Sequence, residues 1–164
     1  MTDHLAVTRT AEFDLSADEL WALVSDGNRW ADWMVDEADV HVAPGGIGTI
    51  VDDGVTRRVH VRSVSSGDAD GFSSQLSSGT TGTATRTAGG RLVFERQPVD
   101  DGSGEGAAST VEIEVTSTDD GGSRLRVVET STPMSTRASA ATPGFAWDVR
   151  LLAMCSCVAM CCRT

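Results

Sequence analysis

From His4 to Phe13 apolar and polar residues alternate well enough for a β-strand, with Val7, Arg9, Ala11 and Phe13 on one face. The period lengthens after Asp14. Ser16, followed three residues later by Glu19, carries the signature of a capping box. Leu20, Trp21, Leu23 and Val24 then form the apolar stripe of a short helix that Gly27 is expected to stop. Trp30 and Trp33, three apart, suit one face of a second short helix.

Beyond Trp33 the period returns to two. Ala38 to Val42 and Ile47 to Val51 read as short strands around the breaker Ala43-Pro44-Gly45-Gly46. Asp52-Asp53-Gly54 predicts a tight hairpin turn into a strand over Val55 to Val64. That strand sets Val55, Val59 and Val61 against Arg58, His60 and Arg62. From Ser65 to Gly90 the alternation fails, and Ser, Thr, Gly and Ala leave only Phe72 and Leu76 as large apolar groups. Such a segment buries too little surface to offset its ordering entropy, which predicts a long mobile loop or hairpin. Arg91 to Gln97 resumes as a strand with Leu92 and Phe94 on one face, before an acidic, Gly-rich loop over Pro98 to Ala108.

The last two strand signals are the cleanest. Val111, Ile113 and Val115 oppose Glu112 and Glu114, and after the Asp119–Gly122 turn Leu125 and Val127 point inward. Ser131 to Thr142 is polar and irregular, and Pro143 suits the first turn of a helix. The stretch Phe145 to Cys162 predicts a long helix with Trp147, Leu151, Met154, Cys155, Val158 and Cys162 on one stripe.

Composition narrows the setting. At 164 residues the chain has a one-domain length, and we expect a single domain over 1–164 with an insertion at about 65–90. A net charge of −11 repels phosphate backbones and anionic membranes, so nucleic acid is not an expected partner. The N-terminus lacks the pattern of a signal peptide, and the longest apolar run, Leu151 to Cys162, is too short to span a bilayer. All four cysteines crowd the last ten residues, unlike a distributed disulfide scaffold. A cytoplasmic location is the expectation.

One strand, two small helices, an antiparallel meander and a long final helix make an α+β architecture. The final helix is the only element long enough to cover the sheet's apolar face. This order resembles the helix-grip fold of the START/Bet v 1-like (SRPBCC) superfamily, including its polyketide cyclase/dehydrase-like and Hsp90-activator-homologue-like branches. The resemblance rests on Leu20-Trp21 with Trp30 and Trp33, Pro44-Gly45-Gly46 before Gly48, the strand Arg57 to Val64, and Gly90-Arg91-Leu92-Val93-Phe94. The strand Ser109 to Val115 and the helix carrying Trp147-Leu151-Leu152 complete it. It implies a curved antiparallel sheet wrapped around the last helix, with two short helices after the first strand. The 65–90 insertion and the cysteine-rich end depart from the family pattern.

Candidate chemistry is sparse. Glu129 is in phase with Leu125 and Val127, and Arg9 with Val7 and Ala11. An inward Glu129 with Arg9 could serve as base and anion stabiliser, or form a structural ion pair. Trp33, Met34, Phe94, Val127, Trp147 and Leu151 are expected to line a cavity between sheet and helix, or to be plain core. Trp33 is the residue expected to touch a ligand, and Trp21 is expected to be core. His60 is expected at the surface, and no histidine joins a catalytic or metal-binding motif. Cys157 and Cys161, four apart, could offer two thiolates to a soft metal, but incidental core thiols are the expectation. No cofactor is expected.

The function these readings imply is binding of a small hydrophobic ligand, by a monomer or homodimer. A cyclase- or dehydratase-type enzyme and a co-chaperone-like interaction protein are the alternatives.

Overall fold

The alternating segments become seven strands in a computed structural model that describes residues 5–67, 89–99, 108–131 and 147–155. They are β1 (Leu5–Phe13), β2 (Glu37–Val40), β3 (Ile47–Asp52), β4 (Val55–Ser66), β5 (Gly89–Pro98), β6 (Ser109–Ser117) and β7 (Ser123–Ser131). All neighbours pair antiparallel in one curved sheet of order β1-β7-β6-β5-β4-β3-β2. β1 and β2 therefore occupy opposite edges, and helix α1 (Ala17–Val24) and a 3-10 helix (Gly27–Asp32) connect them across the face. The architecture is the α+β helix-grip fold.

The local chemistry of α1 is as the capping signature predicts. The Ser16 hydroxyl accepts from the Glu19 amide, and the Glu19 carboxylate accepts from the Ser16 amide. Leu20, Leu23 and Val24 are buried. Gly27 does not stop this helix: Ser25 caps it, and Gly27 opens the next one. A Cβ at Gly27 would lie 2.1 Å from the Val40 carbonyl oxygen, so glycine is required for the 3-10 helix to approach β2.

Asp53 and Gly54 join β3 to β4 with φ of 52° and 72°, the left-handed pair of a hairpin turn. Val55, just after this turn, is exposed, although Val59 and Val61 in its phase are fully buried. A register shift between Val61 and Ser63 marks a bulge, after which Val64 packs against the core. Gly89 and Gly90, expected in the loop, are strand residues: Gly90 pairs with Ser66 and Val115. A Cβ there would meet the Trp21 ring at 2.5 Å, so the half-buried Trp21 lies directly on the β5 backbone. The expected mobile segment falls largely on 68–88, outside the described residues.

Residues 147–155 are helical, with Trp147, Arg150, Leu151 and Met154 buried. Cys155, expected on this stripe, is exposed. At about 100° per residue it stands roughly 90° from the stripe's centre, which Trp147, Arg150, Leu151 and Met154 define. No helix among the described residues is long and apolar enough to cross a membrane.

Candidate functional site

The inward face of the sheet has two chemically distinct ends. At one end Leu92, Phe94, Val111, Ile113, Val115, Leu125 and Val127 form an apolar floor. α1 packs on β5, β6 and β7 there. Trp30 lies against Phe94 with ring centroids 4.8 Å apart, and its indole N–H donates to the Val24 carbonyl at 2.9 Å. Trp33, Met34, Trp147 and Leu151 join the same buried cluster. The Trp33 Nε1 is buried and has no hydrogen-bond partner among the described residues.

The other end is ionic. Arg96 follows Leu92 and Phe94 in phase and is buried. Its guanidinium bonds Glu129 and lies 3.4 Å from Asp52 Oδ2. Arg96 pairs with Ser109 across β5 and β6, and Glu129 lies diagonally beyond Ser109 on β7. The small serine lets two long side chains meet over β6, and its Oγ accepts from Arg96 Nε at 3.3 Å. From the helix, Trp147 Nε1 donates to Glu129 Oε2 at 2.6 Å. Arg150 Nη2 contacts both Asp52 oxygens at 2.5 and 2.6 Å. The Arg150 guanidinium also sits 5.0 Å from the Trp147 ring centroid.

Burial works against the charge on Glu129. Arg96 and hydrogen bonds from Trp147, Ser109 and Arg96 overcome it, holding the carboxyl below its usual range. Burial also lowers the Arg96 guanidinium, with Glu129 raising it, Arg150 lowering it and Asp52 raising it. It stays charged, because arginine ordinarily titrates above about 12. Both Glu129 oxygens are engaged. This is the geometry of an anchored anion and not of a free proton acceptor.

Glu129 thus faces inward in phase with Leu125 and Val127, but its partner is Arg96 and not Arg9. Arg9 pairs instead with Asp148 of the last helix at 2.7 Å, in a half-exposed contact. It sits on edge strand β1, opposite Val127, where its long side chain reaches the helix. His60 is half-buried, not fully at the surface. Among the described residues no group of histidine, cysteine and acidic side chains could hold a metal. Cys157 and Cys161 lie outside them.

Sequence reasoning missed Asp52, Arg57, Arg96 and Arg150, though each carried a signal. Asp52 continues the phase of Ile50, Arg57 that of Val59, and Arg96 that of Phe94. Arg150 follows Trp147 by three on the helix.

The class this arrangement defines is the helix-grip fold, the fold that the sequence resembles. Solved structures sharing it include DynU16, a putative protein in the dynemicin biosynthetic locus, with TM-score 0.60 and 17% identity over 93% of this chain. This chain spans only 46% of the DynU16 chain. CalU16 from Micromonospora echinospora has TM-score 0.52 and 17% identity, covering 94% of this chain and 83% of its own. An HSP90 activator from Plasmodium falciparum has TM-score 0.59 and 14% identity, covering 94% and 96%. At these identities the likeness is one of fold. No protein-family model matches the sequence, and no curated protein matches it significantly.

Proposed function

We propose that the protein binds a small hydrophobic ligand, such as a lipid, polyketide or aromatic compound, between its sheet and its last helix. The observation that carries this reading is the buried Trp33 Nε1 without a partner among the described residues, set in the apolar cluster. A buried donor left unpaired costs about 1–3 kcal/mol, and a ligand acceptor would recover part of that. Phe94, Val127, Trp147, Leu151 and Met34 supply the apolar surroundings such a ligand needs. Glu129 serves in this reading as a structural anchor for Arg96 and Trp147, and Arg9 as a clamp on Asp148. A cytoplasmic setting fits the crowded cysteines.

Calorimetric titration with lipids, polyketides and aromatic compounds is the test. At least one saturable isotherm with a negative heat-capacity change is expected. Trp33→Phe keeps an aromatic ring, though a smaller one, removes the N–H, and is expected to weaken that isotherm about two- to tenfold. A panel without any isotherm overturns the proposal.

A further inference from the structure

Arg57 is the residue in the ionic end that nothing yet described uses. It faces inward in the phase of Val59, and its Nε is buried. Its side chain makes no hydrogen bond or ion pair among the described residues. The register fixes its neighbourhood. Arg57 lies opposite Ile50 on β3 and Pro98 on β5. One alternation along β3 is Asp52, and one alternation along β5 is Arg96, so both are its diagonal neighbours on the same face.

The charge of this end does not balance. Arg57, Arg96 and Arg150 face only Asp52 and Glu129 there, three cations against two anions among the described residues. Asp52 is already shared between Arg96 and Arg150, and Glu129 is held by Arg96 and Trp147. The excess is local, because the whole chain carries −11. A chain so acidic has carboxylates to spare, yet among the described residues none reaches Arg57. Arg57 is half-buried, and its buried Nε stays unsatisfied unless an acceptor completes it; the planar fork of a guanidinium suits a carboxylate bidentately.

We propose that Arg57 receives the carboxylate of an amphipathic monoanionic ligand whose apolar body lies along the floor formed by Phe94 and Val127. The proposal rests on the apolar-ligand reading above and adds the head group. One surplus cation calls for one negative charge, so a carboxylate fits better than a doubly charged phosphate.

Matched pairs differing only in the head group test it: dodecanoate against dodecanol and dodecyl phosphate, and naphthoate against naphthol, titrated into the full chain by calorimetry. In at least one pair the carboxylate is expected to bind about ten- to a hundredfold tighter than the alcohol, the range for a charge-assisted pair. Arg57→Gln is expected to erase that difference while leaving the alcohol's affinity unchanged, and Arg57→Lys to restore part of it. Because Arg57 has no partner to lose among the described residues, Arg57→Gln is also expected to keep or raise the melting temperature, whereas a structural arginine would lower it. Equal binding of acid and alcohol overturns the carboxylate assignment and leaves the apolar-ligand reading standing. A preference for dodecyl phosphate replaces the carboxylate with a phosphate and overturns the monoanion. Selectivity that survives Arg57→Gln overturns the role of Arg57. No binding by any probe overturns both readings.

Discussion

The two ends of the concave face are built from the same strands, yet they are stabilised by different physics. Under α1, Trp30 and Phe94 meet Leu92, Ile113 and Leu125 in an interior held mainly by apolar burial, with the Trp30–Val24 hydrogen bond beside it. Under the last helix, four side chains from β3, β5, β7 and that helix exchange charge-assisted hydrogen bonds around Arg96 and Asp52. The apolar end gains from every carbon removed from water. The ionic end gains little net free energy but tolerates only one arrangement, because each partner lost leaves a buried charge exposed to low dielectric.

Substitutions can break that contrast. Trp30→Ala removes the ring on Phe94 and the bond to Val24, and is expected to cost about 3–5 kcal/mol in urea unfolding. Glu129→Leu strands Arg96 at the other end, with an expected loss of about 3 kcal/mol. Here the ends differ in kind. Adding Arg96→Met to Glu129→Leu is expected to recover most of that loss, whereas no second substitution refills the space of Trp30 so simply. A double variant no more stable than Glu129→Leu alone would show that the ion pair is not separable in this way.

Acid sharpens the same comparison. The folded-state pKa of Glu129 lies below its ordinary 4.5, so its stabilisation is complete above that pH and is lost as pH falls through the lowered value. The stability deficit of Glu129→Gln is therefore expected to be largest at neutral pH and to shrink in acid, followed by urea midpoints. Trp30→Ala carries no such dependence. Ser16→Ala, which breaks the capping box over the apolar end, is expected to cost about 1 kcal/mol. Arg9→Ala, at the half-exposed pair with Asp148, is expected to cost about 0.5 kcal/mol or less.

Periodicity made most of the fold legible. The seven strand segments, the capped helix and the buried stripe at Trp147, Leu151 and Met154 all follow from local alternation or helical spacing. Glu129 was legible as inward for the same reason. Its partner was not, because Arg96 lies two strands away and meets it only through the register that places Ser109 between them. Charged residues in an apolar phase, such as Arg57 and Arg96, read locally as interruptions of a strand face. Only the assembled sheet shows them to be neighbours. The exposed Cys155 failed differently: a stripe drawn through every apolar residue was too wide, and the buried Arg150 marks its true edge.

The strand order carries a consequence for how the chain is made. Among the described residues β1 pairs with β7 alone, so Leu5 to Phe13 must wait for Ser123 to Ser131. At ribosomal rates of about 5–20 residues per second, that leaves the first strand unpaired for several seconds or more. During that interval its backbone is an open template for any other strand. Its alternate polar positions, Thr8, Thr10 and Glu12, serve the nascent chain as much as the finished one, by keeping an orphaned edge wettable until its partner is synthesised.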